Sequence, residues 1–277
     1  MIYLILAILS SAMIAIMMRI AQPRVNYPTG LLAGNYITCC LLALLLSVKE
    51  LPVSVPLLVF PAGAGIMNGI FYLVSFVLMQ WNIRHNGVTL SSVFMKLGIL
   101  VPTLLSVVWF KESPTVLQAI GFLLAIVAIV IINFQKGQTL SKNSWALLLM
   151  LLLGGMGDGM SKVYEVYGNP ALENIFLFFT FFSAMILCLL LTHSRHEHVG
   201  IKELTVGAAL GTPNFLTSLF LLKSLDTVPA VIAFPTFSVA VILVVATAGT
   251  LVFHEKLKQR QIIGGILICL ALALLNL

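Results

Sequence analysis

A lysine stands in the middle of an apolar run: Lys96, in SSVFMKLGILVP, from Ser91 to Pro102. An ammonium at the centre of a membrane helix costs about 2.5–3.5 kcal/mol on insertion scales, so such a group faces a wet cavity or an acidic partner. Ser92 and Thr103 share its face at helical spacing. A carboxylate of matching kind occurs in GGMGDGMSKVYEVYG, where Asp158, Lys162 and Glu165 fall at i, i+4 and i+7 on one stripe. The glycines around Asp158 let another backbone approach or let the helix open locally. The chemistry available is that of a binding site. An ammonium holds an anionic group; a carboxylate takes and releases a proton, binds a cationic group or neutralises Lys96. Two structural readings stand beside it: Lys96 paired with a buried carboxylate for packing alone, and an Asp158–Lys162 pair within one helix.

Uncharged polar groups supply a second constellation. Asn68, Tyr72, Ser75 and Met79 lie at i, i+4, i+7 and i+11 of one run; Gly207, Gly211, Asn214 and Ser218 line one face of another; Asn35 and Tyr36 add polarity to a third. Such amides and hydroxyls suit hydrogen bonding to a small polar solute. They equally suit bonds between helices, worth about 0.6 kcal/mol each. Arg19 and Lys162 sit near the ends of apolar runs, where they serve as cavity charges or snorkel to the interface. His193, His196 and His198 match no standard metal spacing, and no metal or other cofactor is expected. There is no GxxxxGK[ST] loop and no placed catalytic triad or carboxylate pair, so neither ATP-driven transport within this chain nor enzymatic chemistry is expected.

The elements that position these residues follow from composition. The 277 residues are 60% hydrophobic and 9% charged, with a mean hydropathy of +1.11; a soluble domain carries about 25% charged residues. Ten apolar runs long enough to cross a bilayer cover roughly 2–20, 30–48, 57–81, 88–110, 115–134, 144–165, 171–192, 203–225, 228–252 and 258–276. Strict alternation is absent, so the class is an all-α integral membrane protein rather than a barrel. The first run lacks a basic leader and is too long for a signal peptide, which makes it an uncleaved span. The net charge of +6 comes from Lys and Arg in the short connectors, as topology anchors; the expected partners are lipid and a small-molecule substrate, not nucleic acid. Cys39, Cys40, Cys188 and Cys269 all lie in apolar runs without CxxC spacing. The matches to GxxxG in GLLAG, GIMNG and GAALG read as close-packing faces.

An internal repeat organises the ten spans. Phe110, Glu112, Gln118 and Gly121 recur as Phe253, Glu255, Gln261 and Gly264, an offset of 143 residues. The same offset maps Arg19 onto Lys162, Ser75 onto Ser218, Phe94 onto Phe237 and Asn133 onto Asn276. The halves are 1–134 and 144–277, five spans each, and an odd number inverts the second half in the membrane. Inverted repeats are an architecture of secondary transporters, with the solute near the midplane. The segments FKESPTVLQAIGFLLAIVAIVII and FHEKLKQRQIIGGILICLALALL, each a linking Glu plus a final span, resemble the drug/metabolite transporter superfamily, specifically its EamA-like members. That resemblance implies ten helices around a central cavity working by alternating access. Members often carry a proline just after a polar residue in the fourth span; here Lys96 precedes that place and Pro102 follows it. Glu112 and Glu255 read as structural links, with Ser113 and Pro114 as the cap and first residue of the following helix and Glu112 accepting N–H bonds beside that start.

The expected function is a secondary transporter moving a small polar metabolite, an amino acid or small organic anion, across a plasma (inner) membrane. Lys96 would hold an anionic group, Asn68, Tyr72 and Asn214 would orient the solute, and Asp158 would couple a proton or neutralise. A flippase for a lipid or lipid-linked sugar, an exporter of cationic drugs and a non-transporting membrane protein are the alternatives. Connectors after the odd-numbered spans hold nine Lys and Arg, against three after the even-numbered ones. The charge bias therefore puts those connectors in the cytoplasm and both termini outside, whereas the resemblance implies termini inside. A cysteine added after Leu277 should react with an impermeant thiol reagent in intact cells; protection until lysis would reverse the orientation.

Overall fold

A computed structural model describes residues 1–21, 28–50, 54–133, 144–195, 200–252, 254 and 259–277. The helices are α1 (Ile2–Ala21), α2 (Pro28–Ser47), α3 (Val55–Asn86), α4 (Val88–Leu97), α5 (Leu100–Val108), α6 (Val116–Asn133), α7 (Ser144–Tyr167), α8 (Glu173–Ser194), α9 (Ile201–Leu225), α10 (Ala230–Leu251) and α11 (Gln259–Leu275). No strand occurs among the described residues. Helices are what an apolar run must form in lipid, because each closes its own backbone hydrogen bonds. Among the described residues, eight stretches are long and apolar enough to cross a membrane, α4 and α5 acting as one; Val116–Ile132 and Gln259–Leu275 are apolar but shorter. Outward stripes of bare apolar side chains fit a lipid solvent, as with Val116, Ile120, Leu123 and Val127 on α6.

The chain forms two compact units that do not follow the sequence halves. Unit 1 is Met1, Val74–Lys162 and Leu225–Leu277; unit 2 is Ile2–Leu73 and Val163–Ser224. Each draws helices from both repeats.

In unit 1, α6 and α11 occupy equivalent places in the repeat and pack closely. A Cβ on Gly121, early in α6, would meet Ala271 and Leu274 late in α11; one on Gly264, early in α11, would meet Ile132 and Ala128 late in α6. The two helices therefore run antiparallel. Ala125, Ala128, Ile129, Val239, Ile268 and Ala271 form the core there. In unit 2 the equivalent helices α2 and α8 are antiparallel too. Thr29 at the start of α2 accepts from Cys188 Sγ late in α8 (3.6 Å), while Glu50, just past α2, reaches Asn174 at the start of α8. Antiparallel equivalents are what an inverted repeat requires.

Gly34, Gly207 and Gly211 bring α2 and α9 together in parallel, as Gly65 and Gly69 do for α3 and α8. The offset of 143 exchanges these two pairs of helices, so one packing register is used twice.

Span four breaks where its equivalent in the other half does not. Pro102 lacks an N–H for the carbonyl of Gly98. The chain tightens instead: Gly98 N–H donates to Met95 O (3.2 Å) and Val101 N–H to Gly98 O (3.0 Å), each three residues back. The equivalents of Gly98 and Pro102 are Val241 and Val245, and α10 continues through both. The broken segment lies directly on α7, where a Cβ on Gly155 would strike Gly98 O and Val101.

Gly155→Val should therefore lower stability by about 1–3 kcal/mol, the cost of overpacking, in thermal unfolding of the detergent-solubilised protein. Gly265→Ala, where nothing stands within 4 Å of the new methyl, should lose none. Equal melting points for the two variants would contradict this backbone contact.

Candidate functional site

The charged site lies in unit 1. Lys96 stands in the last turn of α4, two residues before the tightened turn at Gly98. Its side chain is exposed and lies within electrostatic reach of Asp158. Asp158, on α7, is half-buried and feels Lys96 in turn. Neither makes an ion pair or hydrogen bond with another described residue. Ser75 is buried, and a Cβ on Gly154 would stand 2.9 Å from its Oγ. Gly154 is one turn before Asp158, so Ser75 and the carboxylate lie against one face of α7.

The neighbouring hydroxyls behave differently from one another. Thr103 and Ser106 on α5 are buried and return their hydroxyls to Ile99 O (2.9 Å) and Pro102 O (2.8 Å). Thr236 on α10 is buried, with no hydrogen-bond partner for Oγ1 among the described residues. Sequence reasoning passed over Thr236; the available signal was a hydroxyl directly after Pro235 inside an apolar run.

Lys162 is tied elsewhere. Its ammonium lies 2.9 Å from Glu112 Oε1 and 5.7 Å from the centroid of Phe110. Its partner is the link before α6, rather than Asp158 one turn back. Glu112 also accepts from Ala230 N–H (3.2 Å) and Val231 N–H (2.8 Å) at the start of α10. The carboxylate complements a helix start, but that of α10, not the one following its own link. The following helix is capped by Thr115 instead of Ser113. Gln118 N–H donates to Thr115 Oγ1 (3.2 Å) and Thr115 N–H to Gln118 Oε1 (3.0 Å), a reciprocal capping box. Glu255 lies outside the described residues, as do His196 and His198; His193 is exposed. Among the described residues no group of three or more His, Cys, Asp or Glu could hold a metal.

Unit 2 holds the uncharged constellation. Asn214 Nδ2 donates to Asn35 Oδ1 (2.7 Å), and Cys39 Sγ donates to Asn35 Oδ1 (3.6 Å) and Gly211 O (3.2 Å). The pair brings together α2 and α9, whose glycines allow the approach. Ser218 Oγ donates to Asn214 O (3.4 Å), one turn back. Tyr72 packs 6.4 Å from Phe181 and within electrostatic reach of Tyr36 on α2. Asn68 is buried, with no hydrogen-bond partner for Oδ1 among the described residues. Arg19 is exposed in the last turn of α1. Thus Lys96, Asp158, Ser75 and Lys162 belong to unit 1, and Asn35, Asn68, Tyr72, Asn214, Ser218 and Arg19 to unit 2.

Comparison with known proteins now adds to this geometry. The sequence profile of the EamA-like transporter family matches residues 1–134 and 140–277. A solved crystal structure, described only as that of a protein, superposes with a TM-score of 0.74 over 98% of each chain at 13% identity. That degree of identity speaks for the fold alone. No curated protein sequence matches the chain significantly. Two matched segments covering almost the whole chain, apolar helices that span a membrane several times, and equivalent helices set antiparallel identify the chain as a multi-pass membrane transporter belonging to the EamA-like transporter family.

Proposed function

We propose that the protein is a secondary transporter that moves a small polar metabolite, an amino acid or a small organic anion, across the plasma membrane by alternating access. The observation that carries this reading is the open pair of Lys96 and Asp158. The two charges influence each other but do not meet. A pair kept for packing would close to contact, since leaving a charge uncompensated in a low-dielectric interior is strongly destabilising. An open pair leaves an ammonium for the anionic group of a solute, and a carboxylate for its cationic group or for a proton.

The break between α4 and α5 supports the same reading. Discontinuous helices accompany solute sites near the midplane in secondary transporters, because irregular backbone is tolerated in a membrane where it lines a cavity. Lys96 is placed two residues before that break. Its positive charge also opposes binding of a cationic drug. Ser75, beside Gly154, adds a hydroxyl suited to the polar part of a solute.

A thermal-shift screen of the purified protein against amino acids, organic acids and sugar phosphates should find a ligand that raises the melting point, since anything binding only the folded form stabilises it. Lys96→Met should then weaken that ligand at least about tenfold, the loss of one charge-assisted hydrogen bond, while Lys96→Arg retains part of the binding. Unchanged affinity in Lys96→Met would refute the assignment.

A further inference from the structure

Resting on the transport reading, we propose that unit 2 carries an uncharged recognition site centred on Asn68, which takes a hydrogen-bond-donating group of the solute, a hydroxyl or an amino N–H. Asn68 is 1% exposed and its Oδ1 has no hydrogen-bond partner among the described residues. A buried acceptor without a donor carries its full desolvation penalty, and native proteins leave few such groups unexplained. Asn82, on the same helix, shows the usual outcome: its Nδ2 donates to Leu78 O and Ala146 O, both at 2.9 Å.

The neighbouring helix α8 holds two hydroxyls, and neither donates to the Asn68 amide. Gly65 and Gly69, which flank Asn68 along α3, bring its backbone against Phe176, Thr180 and Ser183 of α8. Thr180 Oγ1 donates to Phe176 O (2.9 Å), and Ser183 Oγ donates to Thr180 O (3.1 Å) and across to Ile66 O on α3 (3.4 Å). Both hydroxyls are spent on backbone carbonyls, and the amide oxygen has no hydrogen-bond partner among the described residues. One turn on, Tyr72 lies against Phe181 of α8 and near Tyr36 of α2.

The setting is therefore one buried acceptor on the helix face that also carries Tyr72, beside hydroxyls already spent on carbonyls. A site of that kind discriminates by the presence of a donor. A solute with an O–H or N–H completes the amide, whereas an analogue with hydrogen there leaves the acceptor stranded, and such sites reject the analogue sharply.

The orphan state makes the proposal testable in the empty protein as well. Replacing a buried polar group that has no partner by an apolar one of similar shape removes a penalty and breaks no bond. Asn68→Leu should melt, without ligand, at the same temperature as the wild type or higher. The probes are two series of carboxylates that differ only in a hydroxyl: propionate with lactate, and succinate with malate. In at least one series the wild type should bind the hydroxy acid about tenfold more tightly than the member lacking the hydroxyl, by thermal shift and by direct titration; Asn68→Leu should bind the two alike. A fall of several degrees in the melting point of empty Asn68→Leu would overturn the proposal by showing a structural bond, as would retention of the donor preference. If the wild type binds a carboxylate series without preference for a donor, this inference falls and the transport reading stands. If it binds no member of either series, this inference falls, and the transport reading falls with it only when the wider screen of amino acids, organic acids and sugar phosphates also finds no ligand.

Discussion

The structure turns on keeping one ammonium inside a membrane-spanning segment without a partner in contact. Lys96 would be untenable among acyl tails, and it would be inert in a closed ion pair with Asp158. The chain avoids both outcomes through its local backbone. Pro102 withholds an N–H, Gly98 and Val101 shift to shorter hydrogen bonds, and α4 ends just past Lys96. Gly155 lets α7 approach the break closely enough for Asp158 to act on Lys96 through space.

The other buried charges play a different part. Glu112 gathers Lys162 from α7 and two backbone donors from α10, so one carboxylate joins three elements of unit 1. In unit 2, Glu50 does the same at the start of α8, accepting from the backbone of Asn174 and Ile175 and from the side chain of Asn174. Both carboxylates come from the first half of the sequence and both helix starts from the second. In lipid, where apolar contact between helices gives little advantage over contact with acyl chains, such hydrogen bonds and the glycine-mediated approaches carry the association. These groups are satisfied, whereas Lys96, Asp158, Asn68 Oδ1 and Thr236 Oγ1 have no hydrogen-bond or ion-pair partner among the described residues, and that contrast separates groups suited to holding the fold from groups suited to meeting a solute.

Much of the architecture was legible in the residues. Apolar runs located the helices to within a few positions, and the offset of 143 located the inverted repeat, because burial in lipid writes itself into composition and the repeat into paired Phe, Glu, Gln and Gly. Lys96 and Asp158 stood out because an intramembrane charge is costly anywhere. Long-range pairing was not legible. Nothing near Glu112 names α10 as the helix it caps, 118 residues away, and nothing near Asn35 names Asn214, 179 residues away. The tightening at Pro102 was visible only as an unusual proline, since its consequence depends on where the Gly98 carbonyl finds a donor. The compact units were hidden as well: α3 and α7 each cross a unit boundary, and an uninterrupted apolar run carries no mark of it.

The account stands or falls on whether residue 96 meets water. Lys96→Cys, in a protein whose four native cysteines are replaced, can be exposed to a small, charged, membrane-impermeant thiosulfonate, with Trp109→Cys and Val127→Cys as references for the span end and the lipid-facing stripe. The cysteine at 96 should be modified at a rate well above that at 127, and a bound solute should slow it. A cysteine at 96 as unreactive as the one at 127, in every condition tried, would place the lysine in lipid or in closed packing and contradict the central claim.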